Sequence, residues 1–179
     1  FGTVSTTSFN QFQYGDIITG SYPLSSSIIR SSSIENAPRR EIKALKNTLN
    51  FYKPISNRYA YSSSFGDKAT QALSLISIPS IFYGSSIKKG TIDLKFYITG
   101  TLVGRLQDTR HNGELIQTGP AGSTGSGSIA GVALYNEGFL YLSGAWALDP
   151  ASYTFDASST PKWIHFAAGA PGDGLAESN

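Results

Sequence analysis

The sequence predicts a mainly β chain: an antiparallel β-sandwich or jelly-roll-like domain with one amphipathic helix and an extended N-terminal arm. Three observations predict it. In "TIDLKFYIT", Ile92, Leu94, Phe96 and Ile98 alternate strictly with Thr91, Asp93, Lys95, Tyr97 and Thr99, the period of a strand with one buried and one wet face. Asn112-Gly113 and Asn136-Glu137-Gly138 each stand between two apolar runs, which reads as two hairpins. Ten tyrosines and ten phenylalanines suit strands and interfaces better than helical bundles.

The elements follow in order. Residues 1–34 are rich in Ser, Thr and Gly but carry Phe9, Phe12, Tyr14, Ile17, Ile18 and Tyr22, too many apolar side chains for a disordered tail. This segment is expected to be an assembly arm that adds as a strand to an exposed sheet edge of a neighbour. Residues 35–179 form the β-rich domain. Its helix, near 37–52, opens with Pro38 in the first turn, carries Ile42, Leu45, Leu49 and Tyr52 at helical spacing, and stops at Lys53-Pro54. Asp67 is placed to cap a short turn through Thr70 to Leu73. "LSLISI" then reads as a strand, demoted to an edge by Pro79. The 91–99 strand ends at Gly100, where the chain can bend. Leu102 to Leu106 and Glu114 to Gln117 make the first hairpin around "DTRHNG", its Asn112-Gly113 pair expected in a type I′ turn with positive φ at both residues. "GPAGSTGSGS", 119–128, reads as a flexible connector. Ile129 to Tyr135 and Phe139 to Gly144 make the second hairpin. Trp163, Ile164 and Phe166 suggest a last strand before a Gly/Pro-rich tail.

Composition narrows the function. Charged residues are only 15% of the chain, against about 25% in an average soluble protein, so hydroxyls, amides or partners must cover much of the surface. A net charge of +2 gives no field to hold nucleic acid or an anionic membrane. No apolar stretch reaches the roughly 18 residues of a membrane span, and neither membrane nor nucleic acid is an expected partner. With no cysteine, disulfides and thiolate chemistry are excluded. The absence of methionine and the opening at Phe1 lead us to expect a piece of a longer polypeptide.

Catalytic patterns are thin. Two histidines, His111 and His165, rule out a multi-histidine metal centre in this chain, and each reads as a surface or interface residue. The G-x-S-x-G elbow of serine hydrolases is missing. Asp93, Asp108, Glu114 and Glu137 are scattered over strands and turns, with no spacing that pairs two of them for glycosidase chemistry. "GSGSIAG" has the glycines of a dinucleotide loop but precedes a strand instead of a helix. Arg39, Lys43 and Lys46 fall at i, i+4 and i+7, giving the helix a basic stripe whose ordinary role is a solvated face and whose functional role is a protein interface. No cofactor and no enzymatic activity are expected.

Several segments carry a resemblance as whole phrases: "YGDIITGSYPLSSSI", "LKNTLNFY", "SLISIPSIFYGSSIKKGTIDLKFYITGTL", "NGELIQTGP" and "GSGSIAGVALYNEGFLYLSGAWAL". Across residues 14–148 the chain resembles virion structural proteins of tailed marine, cyanophage-like bacteriophages. That resemblance implies a tail, baseplate or fibre component located in the virion, whose partners are copies of itself and other virion proteins. Phe9, Phe12, Tyr14, Tyr22, Arg39, Lys43 and Lys46 are then the candidate assembly contacts. The alternative is a receptor- or carbohydrate-binding module of a tail fibre, with Tyr97, Tyr135 or Trp146 stacking on a host-surface glycan.

Overall fold

The computed structural model describes residues 29–33, 40–98, 101–148 and 161–166. Within them the chain is mainly β, as the alternating pattern requires. Nine strands are described: β1 (Ile29–Ser33), β2 (Ser62–Ser63), β3 (Gly66–Asp67), β4 (Leu73–Ser77), β5 (Asp93–Ile98), β6 (Thr101–Gln107), β7 (Glu114–Gly119), β8 (Ile129–Leu134) and β9 (Phe139–Leu142). Seven form one antiparallel sheet in the order β1-β4-β9-β8-β7-β6-β5, and β2 and β3 pair separately. The sheet is curled, compatible with a sandwich-like domain. Trp163 shows this directly, touching Phe96 on β5, Gly104 on β6 and Gly144 beyond β9. A flat sheet would hold β5 and β9 four strand spacings apart, about 19 Å, too far for one indole to bridge.

Each face of the sheet has its own core. On the concave face Leu94, Phe96, Val103, Leu106, Leu140 and Trp163 pack together. On the other face Leu75, Val132, Leu134 and Tyr141 meet Ile42, Leu49, Tyr59 and Tyr61. Consecutive residues of the central strands therefore go into opposite cores, as Ala133 and Leu134 do on β8. Strand β5 keeps the expected alternation, with Ile92, Leu94 and Phe96 buried and Asp93, Lys95 and Tyr97 exposed.

The helical stripe is real but divided: α1 (Arg40–Ala44) and α2 (Lys46–Tyr52) meet at Leu45. Leu45 N–H still donates to Glu41 O at 3.0 Å, and Leu49 N–H to Leu45 O at 2.9 Å, so the stripe stays in phase. Ile42 and Leu49 are buried by it, each worth roughly 1.5–3 kcal/mol of hydrophobic stabilisation. Pro38 lies outside the described residues. Asp67 does cap a turn, its Oδ1 accepting from Ala69 N–H at 2.8 Å.

Four expectations are corrected. Strand β4 is interior, paired with β1 on one side and β9 on the other, because Pro79 lies past its last residue and removes no ladder bond. Among the described residues, Ile29–Ser33, which the sequence reading placed in the arm, pairs with β4 at one end of this domain's own sheet. Trp163–His165 is a single 3₁₀ turn, not a strand; tertiary burial of Trp163 fixes it. The 108–113 hairpin forms, but without a two-residue type I′ turn: positive φ falls at His111 (55°) and Gly113 (87°) and not at Asn112, because six residues span the reversal. Gly113 is required there, since a Cβ would overlap the Tyr59 hydroxyl.

Candidate assembly surfaces

Of the expected contacts, Phe9, Phe12, Tyr14, Tyr22 and Arg39 lie outside the described residues. Lys43 and Lys46 are exposed on the helix. The Lys46 ammonium sits 5.3 Å from the Tyr61 ring centroid, a cation–π contact that positions the charge without burying it. Both lysines are exposed on the flank of the buried Ile42–Leu49 stripe.

The apolar surface is larger than the sequence suggested. Phe51 and Ile81 are each 76% exposed, and Ile55, Phe65, Phe82 and Tyr97 stand out as well. They come from the end of α2 and the turn after it, the β2–β3 turn, a 3₁₀ turn over Ser80–Phe82 and the outer strand β5. Some are braced from below: the Arg58 guanidinium lies 4.4 Å from the Phe65 centroid, and Phe51 meets Tyr52 edge-on at 5.3 Å. The three aromatics considered for sugar stacking do not converge on solvent. Tyr97 is exposed, but Tyr135 is buried with its hydroxyl donating to Asp108 Oδ2 at 2.7 Å. Trp146 is half-buried and donates inward to Gln117 Oε1 at 2.8 Å.

Buried polar groups organise the frame behind these surfaces. Gln117 is 1% exposed, and its Oε1 accepts from both tryptophans, Trp146 at 2.8 Å and Trp163 at 2.9 Å. Its Nε2 donates to Ser123 Oγ at 3.0 Å and Thr124 O at 2.9 Å, so all four bonding positions of the amide are used. The 119–128 segment is thereby wound into successive turns around Gln117, correcting the flexible-connector reading. Asp108 likewise accepts from Gly90 N–H at 2.6 Å, Ile92 N–H at 3.0 Å and Tyr135, tying the start of β5 to the β6–β7 hairpin.

Several other titratable groups are also engaged. Glu114 accepts from Ser56 at 2.7 Å and Arg110 at 2.8 Å. Burial alone would raise its pKa, but these donors and Asn112 outweigh burial and hold it below the ordinary value. Asp93 is held low first by hydrogen bonding from Arg105, at 2.8 and 3.0 Å. Lys68 is 5% exposed and donates to Arg58 O at 2.8 Å and Ala60 O at 2.6 Å. Burial, then the Arg58 charge, brings its pKa down to about 8, against the opposing pull of Asp67. It lines a shallow cleft with Phe65, Gln71 and Tyr141. Glu137 accepts from the Tyr52 hydroxyl at 3.0 Å. His111 is exposed at the hairpin, and His165 is half-buried in the 3₁₀ turn.

Among the described residues no group of three or more His, Asp or Glu side chains could hold a metal ion, and no helix is long and apolar enough to cross a membrane. Among the described residues the architecture is an antiparallel β domain whose sheet ends at β1 and β5, with large apolar side chains exposed. Compared with protein families, curated proteins and solved structures, the chain matches none.

Proposed function

We propose that this chain is a structural component of a phage virion, in the tail, baseplate or fibre region, acting through protein–protein assembly contacts. The observation that carries the reading is the exposure of large apolar side chains, Phe51 and Ile81 foremost, on a surface with little charge. Covering such area is worth roughly 25 cal/mol per Å², and a low-charge surface removes little of that gain through desolvation. The phrase-level resemblance across 14–148 supplies the particle. A rigid, polar-pinned sheet suits a subunit that must present the same surface in every copy. The glycan-binding alternative has less support, because Tyr135 and Trp146 are committed to inward hydrogen bonds.

The test is to raise antibodies against this chain and label purified particles for electron microscopy, with mass spectrometry of the same particles in parallel. Labelling at a fixed position on tails or fibres is expected. A chain recovered from infected cells but missing from purified particles would overturn the reading.

A further inference from the structure

We propose that the outer edge of β5 is a self-association site, where the β5 of a second copy pairs antiparallel about a twofold axis. Strand β5 ends the order of the seven-stranded sheet, and among the described residues no strand pairs with its far side. The N–H groups of Gly90 and Ile92 turn inward to Asp108. By the alternation of a strand, the backbone groups of Asp93 and Lys95 then point outward, with no strand partner among the described residues, and can template another strand.

The occupant follows from face matching and charge. Residues directly opposite in an antiparallel pair share a face, so a twofold pairing must set odd residues against odd and even against even. Centring the axis on Asp93 opposes two aspartates, and centring it on Lys95 opposes two lysines. Centring it on Leu94 sets Asp93 against Lys95 of the second copy, and Lys95 against its Asp93. The exposed Tyr97 then lies over Thr91 of the second copy, and Ile92 and Phe96 meet on the concave side, extending that core across the axis. A charged edge ordinarily discourages pairing; here the twofold converts the same charges into two cross-strand ion pairs. Asp93 is already oriented for it by Arg105, with Lys95 at 3.5 Å on its own strand, so the row runs Arg105, Asp93, then Lys95 of the neighbour. This deepens the assembly reading and rests on it only for setting, since the pairing is a property of the isolated chain.

The test is sedimentation of the full chain over rising concentration, with D93K and K95E beside it and circular dichroism to establish that each folds. The wild type is expected to double in mass. Each reversal, which sets like charges across the axis, should weaken association by roughly tenfold or more. An equimolar mixture of the two variants should recover it, because the lysine introduced at 93 faces the glutamate introduced at 95 while the native pair survives on the other side. A wild type that stays monomeric, reversals without effect, or a mixture that fails to recover would each overturn the proposal. A monomer found nonetheless in labelled particles would sink this edge pairing alone and leave the assembly function standing.

Discussion

At the scale of single residues, buried polar groups decide how rigid the sheet is. Gln117 satisfies two indole N–H groups that lie 29 and 46 residues further along the chain. Replacing it with leucine keeps the volume but strands both donors, each costing about 1–3 kcal/mol. Q117L should therefore lose on the order of 3 kcal/mol, and the melting temperature should fall by roughly 6–12 °C; an unchanged melt with unchanged tryptophan fluorescence would contradict the network. Lys68 gives a pH signature. Its folded pKa of about 8 lies below its ordinary 10.5, so between these values the unfolded chain binds a proton that the folded chain does not. The burial penalty present below pH 8 then fades, and stability rises with pH across that window. Tyr59 and Tyr135 act oppositely: burial raises their pKa values well above 10, so stability falls where the unfolded phenols ionise. Urea unfolding from about pH 7 to about pH 10 should show the rise in the wild type and lose it in K68M.

Elements were legible where only one face is buried. The alternation of β5 and the Ile42–Leu49 stripe survive in the sequence because solvent on one side permits Asp93, Lys95, Lys43 and Lys46. Strand β4 has no such alternation, since Leu73, Ser74, Leu75 and Ile76 are all buried between two cores, and Pro79, which lies beyond its last residue, does not mark it as an edge. Strand β1, "IRSSS", has no apolar period at all; its identity comes from the ladder Ile29↔Ser77 through Ser33↔Leu73. Trp163 and Phe166 looked like a strand because apolar spacing alone does not separate a short strand from one turn pinned by an indole. The candidate surface was half legible. Lys43 and Lys46 follow from helical spacing and Tyr97 from the wet face of the β5 alternation, whereas Ile81 is outward-facing only because of how its 3₁₀ turn is placed. Gln117 and Asp108 carry no local signal, as their partners are brought together by the fold.

For the whole molecule, charge and stability separate. Among the described residues the domain is held by two apolar cores and a polar frame, and of Lys43 and Lys46 only Lys46 reaches a core residue, through its contact with Tyr61. Exposed charges contribute about 0–1 kcal/mol each to folding, and one exposed cation–π contact about 0.5–1 kcal/mol. Changing Arg39, Lys43 and Lys46 together to alanine takes the net charge from +2 to −1, that is 2 − 3. On the proposed assembly function, this reverses the sign of the weak field available to orient an incoming partner while leaving both cores intact. The triple variant should thus melt within a few degrees of the wild type, yet enter particles poorly when expressed in competition with it. The wild type's advantage should shrink as salt rises, because screening at about 0.15 M already limits exposed charges to roughly 8 Å. Equal incorporation of both chains at low salt, or a collapse of the variant's melting temperature, would show that the stripe serves the fold and not the contact.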